Sequence, residues 1–173
     1  MEKTLILTND EIKHKIKRIA YQIYEANASE TVIYLAGITG NGFIMTNKIA
    51  EQLRVISDLE IKTIEVFINK KNVLAEVSTS IPLEELEGKS LVLIDDVLNS
   101  GKVLIYGAVY FLKVTLKKFL TAVLVNRNHK RYPIKADFKG ISLSTTVHER
   151  VEVVFEEEND KAYLEWVYLK KHN

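Results

Sequence analysis

The fold is decided by the stretch LVLIDDVLNSGK, residues 91–102 of a chain of 173 residues. Its first four residues are apolar, which is typical of a strand buried on both faces of a parallel sheet. Asp95 and Asp96 follow at the predicted end of this strand, and a polar loop with a glycine leads into an apolar segment of helix length. In an open α/β sheet, ligands bind beyond the carboxyl ends of the strands. The two carboxylates therefore mark a candidate ligand site.

The loop after the two aspartates has the features of a phosphate site. The amides of residues 99–103 would lie at a helix N-terminus, where phosphate groups bind well. The alternative is structural, because an acidic turn that caps the next helix is common and Asp is an ordinary capping residue. The order of apolar run, acid pair, hydroxyl-glycine-lysine triplet and helix favours ligand binding over capping alone.

The segment LVLIDDVLNSGKV resembles the phosphoribosyl-diphosphate (PRPP) signature of type I phosphoribosyltransferases. A second segment, AVLVNRNHKRYPIKADFKG, resembles the pyrimidine-operon attenuator/uracil phosphoribosyltransferase type within that family, and the likeness extends from about Leu7 to Glu157. It implies an α/β fold with a mostly parallel central sheet flanked by helices and a small hood of added strands. It also implies transfer of the 5-phosphoribosyl group from PRPP to a nucleobase, with a pyrimidine such as uracil as the expected acceptor.

The resemblance assigns roles to the residues of the first segment. Asp95 and Asp96 would be catalytic, because they can accept hydrogen bonds from the ribose hydroxyls and place negative charge near the cation that develops on the sugar. Mg²⁺ would arrive with PRPP, with no residue binding the metal directly. The valine at the end of the segment replaces a usual threonine. The expected 5-phosphate ligands are Asn99, Ser100, Gly101, Lys102 and Val103.

A second glycine-rich turn, GITGNG at residues 37–42, follows a predicted strand at 31–36 and precedes a helix predicted to end near Leu53. Three glycines in six residues allow either a tight turn or a close approach to a ligand. The resemblance makes this turn the pyrophosphate loop, formed by Thr39, Gly40, Asn41 and Gly42. The family usually has an arginine where Asn41 stands, so a cation that helps to hold pyrophosphate is missing.

Other elements follow from hydrophobic periodicity. The spacing predicts an amphipathic helix that begins at a capping box of Thr8 and Glu11 and ends near Ala26. It also predicts a strand at 61–68 with a hairpin partner at 73–77, a polar connection at 82–89, and an antiparallel pair at 151–155 and 162–169. Relatives of the attenuator type carry an aromatic-arginine-acidic sequence near the turn after the first of these strands, where this chain has Phe67 but neither the arginine nor the acid. The resemblance would let Lys70 or Lys71 replace that arginine as a point charge, and the alternative is a solvated lysine-rich turn.

Two further regions bear on partners and substrate. The helix predicted from Lys102 to about Lys113 is apolar nearly all round, which indicates burial on more than one side and predicts a homodimer or larger oligomer. After a predicted strand at 119–125, the resemblance places Asn126 and Arg127 in the region that covers the nucleobase. Arg127 and Asp137 are equally compatible with structural roles.

The composition limits the classes of function. A chain with 47% apolar and 27% charged residues fits one soluble domain spanning residues 1–173. The absence of cysteine excludes disulfides and thiolate sites. No secretory signal or membrane span is predicted, so a cytoplasmic protein is expected. The net charge of +1 makes RNA a possible but not favoured partner.

Three functions remain open from the sequence. The first is an active phosphoribosyltransferase. The second is a catalytically weak relative that binds a nucleotide and acts as a regulator of pyrimidine metabolism, possibly on RNA, which the missing arginine and threonine favour. The third is an oligomeric scaffold that keeps the fold without the ligand.

Overall fold

A computed structural model describes residues 3–146, 148–157 and 159–166, with the side chain of residue 166 left out. Its elements alternate between strand and helix over the first two thirds of the chain, as the sequence predicts. In chain order they are β1 (Lys3–Leu7), α1 (Asn9–Ala26), β2 (Val32–Ile38), α2 (Asn41–Ile56), β3 (Glu60–Phe67), β4 (Ser78–Thr79), a 3₁₀ helix (Leu83–Leu86), β5 (Ser90–Leu98), α3 (Lys102–Phe111), β6 (Lys118–Asn126), β7 (Phe138–Ser142), β8 (Glu149–Val154) and β9 (Lys161–Trp166).

The central sheet has six strands in the spatial order β4–β3–β2–β5–β6–β7. All neighbouring pairs run parallel except β3 and β4, which are antiparallel. From β2 the chain continues to β3 on one side, whereas β6 and β7 are added on the other side of β5. The strand order therefore reverses between β2 and β5, which is where open α/β sheets bind their ligands.

The sheet is covered on both faces, as the apolar run at its centre predicts. Helices α1 and α2 pack with Ile33, Leu35 and Ile94 on one face, and α3 packs with Leu93 on the other. These side chains are fully buried. Because burying one such side chain contributes about 1.5–3 kcal/mol, the central strands supply much of the stability of the fold.

Helix α1 begins as predicted. The Thr8 amide donates to Glu11 Oε2 at 2.8 Å, and the Glu11 amide donates to Thr8 Oγ1 at 3.4 Å, which completes the capping box. The apolar positions of the helix are all buried, which confirms the predicted amphipathic face: Ile12, Ile16, Ile19, Ala20 and Ile23.

A separate three-stranded antiparallel sheet, in the order β1–β9–β8, forms the predicted hood. Pairing of β8 with β9 confirms the predicted antiparallel pair, and residues 167–169 of that prediction lie outside the described residues. Strand β1 was not predicted, because its partner β9 is distant in sequence. Strand β7 was also not predicted.

The structure corrects the hairpin and the position of the acids. Residues 73–77 form no strand. Val73 is buried, and β3 pairs instead with β4, the two residues Ser78 and Thr79. Strand β5 extends to Leu98, so Asp95 and Asp96 lie inside the strand rather than after it. The described ladder between β2 and β5 ends at Ile94, which still opens the sheet beside the acids.

The connection at 82–89 is polar in sequence but contains the 3₁₀ helix, whose Leu86 is fully buried. None of the described helices combines the length and apolar character needed to cross a membrane.

Candidate active site

A cavity of about 590 Å³ opens at the switch point between β2 and β5. Asp95 and Asp96 lie on one wall, and the whole of loop 99–103 forms another. Strand β8 of the hood closes a third side with residues 150–153, which sequence reasoning did not assign to the site. These hood residues could be found only from the tertiary packing, because no local motif marks them.

Contacts with a later segment of the chain hold the loop 99–103 in place. Gly101, the residue before α3, has φ +85°, and a Cβ there would lie 2.8 Å from Ile134 Cγ2. The Ser100 carbonyl accepts hydrogen bonds from the Arg131 and Tyr132 amides, at 2.9 and 3.1 Å. The segment around 131–134 therefore holds the loop in place at the start of α3, a position where backbone N–H groups favour an anion.

Arg127 also holds the loop 99–103 in place, through a hydrogen bond to Asn99. Its guanidinium donates to Asn99 Oδ1 at 2.7 Å, to Thr145 Oγ1 at 2.5 Å and to the Thr146 carbonyl at 2.7 Å. Burial lowers the pKa of Arg127 below its ordinary value. The arginine therefore links the phosphate loop to residues 145–146, a structural contact among the alternatives left open by the sequence.

The two acids occupy different environments. Asp95 is only 5% exposed, and its Oδ1 accepts from the Asp96 amide at 3.0 Å and lies 3.3 Å from Lys70 Nζ. Burial and the negative charge of Asp96 raise the pKa of Asp95 to about 7, against the opposing attraction of Lys70. Asp96 is half-buried, and its Oδ2 accepts from Asn41 Nδ2 at 2.9 Å.

The predicted pyrophosphate loop meets the cavity through one side chain. Asn41 lines the cavity, whereas Thr39, Gly40 and Gly42 are not among its lining residues. The Thr39 hydroxyl donates to Glu65 Oε1 at 2.9 Å, away from the cavity. Gly40, the residue before α2, has φ +83°. Gly42 packs so closely that a Cβ there would lie 3.0 Å from Asp95 Oδ1.

The two residues predicted for the base region lie beside the cavity rather than in its lining. Asn126 is 5% exposed, its Nδ2 donates to Ser142 Oγ at 3.2 Å, and its Oδ1 is buried without a hydrogen-bond partner. Arg127 lines a second hollow of about 310 Å³ with Asn99 and Ser100. Asp137 anchors the Thr121 amide at 2.8 Å, so its contacts are structural.

The described residues contain no cluster of three or more histidine, cysteine, aspartate or glutamate side chains able to hold a metal ion. The structure thus brings together the two acids, the phosphate loop, Asn41 and Lys70.

Residues 4–157 match the family model described as "Phosphoribosyl transferase domain". The chain belongs to the phosphoribosyltransferase family. It is 33% identical over 172 residues to the "Bifunctional protein PyrR" of Streptococcus thermophilus, an alignment that covers 93% of this chain and 95% of the relative. The protein of the same name from Fusobacterium nucleatum is 32% identical over 165 residues, with 91% and 93% covered.

Solved structures support the same fold. The hypoxanthine phosphoribosyltransferase of Trypanosoma cruzi aligns with a TM-score of 0.77 at 15% identity, covering 92% of this chain and 95% of that one. The hypoxanthine-guanine enzyme of Bacillus anthracis aligns with a TM-score of 0.67 at 16% identity, covering 83% and 85%. At such identities the likeness concerns the fold alone.

Family membership confirms the predicted fold and class of enzyme. The protein is a phosphoribosyltransferase, a pentosyltransferase whose substrates are PRPP and a nucleobase.

Proposed function

We propose that this phosphoribosyltransferase acts on a pyrimidine, with uracil as the preferred base, and that its catalytic cavity is the one at the β2–β5 switch point. The observation that carries this proposal is the junction, in a single cavity, of the amide-lined loop 99–103 with Asp95 and Asp96. The similarity over 93% of the chain to proteins named PyrR supports the choice of a pyrimidine.

In this proposal the loop 99–103 binds the 5-phosphate of PRPP. Its amides lie at the N-terminus of α3, where backbone N–H groups and the helix dipole favour a phosphate. The Ser100 hydroxyl adds a donor. Val103 contributes only its amide, so a hydroxyl contact worth about 1.5–3 kcal/mol to a charged acceptor is absent relative to a threonine.

The two acids stabilise the sugar during transfer. As the bond from C1 to pyrophosphate breaks and the bond from C1 to the base nitrogen forms, positive charge develops on the ribose ring. Asp96, held by Asn41, and Asp95, which lies beside it in β5, can accept hydrogen bonds from the ribose hydroxyls. Fixed negative charge near the developing cation lowers the barrier without reorganisation during the reaction.

Mg²⁺ fits this site as a partner of PRPP. Asp96 and Asp95 offer oxygen donors of the type that Mg²⁺ prefers, but Asn41 and Lys70 already contact them. The ion would neutralise the pyrophosphate while it keeps most of its waters, and Asp96 would contact it through one of those waters.

The direct test is conversion of free bases by the purified protein. With PRPP and Mg²⁺, we expect uracil to give UMP faster than cytosine, hypoxanthine or guanine gives its nucleotide, as measured by chromatography. Failure to form a nucleotide from any of these bases at high protein concentration would refute the transferase assignment for this chain.

The second candidate is a catalytically weak, nucleotide-binding regulator that acts on RNA. It is favoured by the missing arginine at Asn41, whose amide is engaged within the protein. We expect this regulator to shift a pyrimidine-leader RNA in a UMP-dependent way, with affinity that falls steeply as salt is raised. An RNA that shows no shift, with or without UMP, would exclude it.

The remaining proposals concern the number of domains, the location of the protein and its oligomeric state. We propose that residues 1–173 form one domain, that the protein is cytoplasmic, and that α3 takes part in a homodimer or larger assembly. The outer face of α3 supports the last point, because Val109 is 57% exposed and Leu112 beside it is 64% exposed.

A further inference from the structure

The pyrophosphate loop of this chain lacks a side chain that can bind pyrophosphate. An asparagine amide has two N–H donors, and those of Asn41 serve Asp96 Oδ2 and the Val153 carbonyl, each at 2.9 Å. The single hydroxyl hydrogen of Thr39 is donated to Glu65. Gly40 and Gly42 have no side chain. The loop can therefore offer only backbone amides to a leaving group that carries several negative charges.

A cation from another element lies next to this loop. Lys70 follows β3, lines the cavity, and has its Nζ 3.3 Å from Asp95 Oδ1. The same oxygen is the nearest atom to the Cβ position of Gly42, at 3.0 Å. The lysine and Gly42 thus lie on the same carboxylate oxygen's side of Asp95, which places the ammonium group near the start of α2.

The segment that carries Lys70 is anchored on both sides. Ile68 is 5% exposed and Val73 is 3% exposed, and both belong to the core on the α3 side of the sheet. Between them, Asn69 Oδ1 accepts from the Lys71 amide at 2.9 Å and the Asn72 amide at 3.1 Å. The backbone is therefore held on both sides of Lys70, whose side chain is 45% exposed.

The other cations of the cavity have different positions. Lys102 belongs to the 5-phosphate loop, and Arg150 Nη2 lies 3.4 Å from Glu165 Oε2 in the hood. Of the cationic side chains described in the cavity lining, Lys70 alone contacts Asp95 beside the pyrophosphate loop.

We propose that Lys70 is the pyrophosphate-binding cation of this enzyme and exchanges its contact with Asp95 for the pyrophosphate of PRPP. This inference rests on the proposed function, since it concerns the leaving group of the same reaction. The lysine would stabilise the negative charge that accumulates on pyrophosphate as the bond to C1 breaks, and its departure would leave Asp95 to the ribose. Its neighbour Lys71 is exposed and absent from the cavity lining, so it would play no part.

The test compares Lys70→Gln, Lys71→Gln and Lys70→Arg with the wild type in calorimetric titrations with magnesium pyrophosphate and, separately, with UMP. For Lys70→Gln we expect affinity for pyrophosphate to fall about 10- to 100-fold, the range of a charge-assisted hydrogen bond, while affinity for UMP changes by less than about threefold. Lys71→Gln should resemble the wild type, and Lys70→Arg should recover most of the affinity because it keeps the charge.

The outcomes separate the two proposals. Unchanged pyrophosphate affinity in Lys70→Gln, or an equal loss in Lys71→Gln, would overturn the role of Lys70 and leave the transferase assignment intact. An equal loss of UMP and pyrophosphate affinity in Lys70→Gln would indicate a general effect on the cavity and would also overturn it. A wild type that binds neither ligand would remove the proposed function, and with it the role of Lys70.

Discussion

The loops before α3 and α2 both contain glycine, but they differ in how their side chains are used. The loop 99–103 lines the cavity along its whole length, and Arg127 and the segment 131–134 hold it in place. The loop 39–42 begins a helix in the same way, yet its Asn41 side chain is used inside the protein. In the proposed reaction, the first loop would hold the 5-phosphate throughout, and the second would leave much of the charge compensation to Lys70.

This division suits the two phosphates that the loops would bind. The 5-phosphate stays bound through the reaction, so a rigid cradle of amides is adequate. Pyrophosphate must leave, so a half-exposed lysine that can return to Asp95 offers charge without permanent attachment. A glycine-rich turn before a helix is therefore not enough to predict a phosphate cradle, because its side chains can be engaged within the protein.

The largest expected effect is at Gly101. In Gly101→Ala, the new Cβ meets Ile134 Cγ2 at 2.8 Å while the backbone keeps a positive φ, so the 5-phosphate loop must shift. Strain at positive φ costs about 1–2 kcal/mol, and displaced amides add a loss of binding. We expect UMP affinity to fall about 100-fold, or about 2.7 kcal/mol, in a calorimetric titration.

Gly88→Ala is the matched control for this change. Gly88 has φ +68°, but a Cβ there meets no atom within 4 Å, and the residue lies outside the cavity lining. We expect Gly88→Ala to lose a similar amount of stability, because its backbone is also strained at positive φ, and to keep its affinity for UMP. Equal losses of UMP affinity in the two variants would break the claim that loop 99–103 is the cradle.

The second largest expected effect is the pH dependence of stability at Asp95, which lies beside Gly42 and contacts Lys70. A carboxyl with a pKa of about 7 in the folded protein, against about 3.9 when unfolded, takes up a proton on folding. Its contribution to stability is therefore greatest below pH 4 and is lost as the pH rises through about 7. Asp95→Asn removes this dependence.

Urea unfolding of Asp95→Asn and wild type at pH 5 and pH 8 measures the difference. We expect the variant to gain roughly 2 kcal/mol relative to the wild type between these two pH values. A difference between the two proteins that stays constant from pH 5 to pH 8 would show that Asp95 is fully ionised throughout that range.

The smallest expected effect is that of replacing Asn41, in the loop before α2. Asn41→Ala removes the hydrogen bonds to Asp96 and to the Val153 carbonyl, each with a net value of about 1 kcal/mol. We expect the free energy of unfolding to fall by about 1–2 kcal/mol, and pyrophosphate affinity to change by less than about threefold. The exposed Asn128→Ala should change neither quantity. A tenfold loss of pyrophosphate affinity in Asn41→Ala would make Asn41 a ligand after all.

Much of the fold could be predicted from local patterns. The buried run at 91–94 and the capping box at Thr8 are short-range features, and the structure confirms both. Strand β1 and the shift of the hairpin from 73–77 to β4 depend on partners that local periodicity does not reveal. At the candidate site, the sequence placed Asp95, Asp96 and the loop 99–103 together because they are close in the chain, and all of them line the cavity.

The side chains that complete the site were not predictable in the same way. Lys70 lies just after β3 and contacts Asp95 in β5, although β2 separates these two strands in the sheet. Residues 150–153 reach the cavity from the hood. The sequence also suggested a role for Asn41 in the pyrophosphate loop, but its amide donates to Asp96 and to the Val153 carbonyl in the hood. Such contacts follow from tertiary packing, which spacing alone does not determine.

In the proposed function, one cavity holds the sugar phosphate between loop 99–103 and the two acids. A crystal structure of the protein with UMP and magnesium pyrophosphate would show directly where the sugar phosphate binds. We expect the 5-phosphate oxygens at about 3 Å from the amides of residues 99–103, with the ribose hydroxyls at Asp95 and Asp96. A nucleotide phosphate bound outside this loop, with the acids still engaged only by Asn41 and Lys70, would contradict the claim.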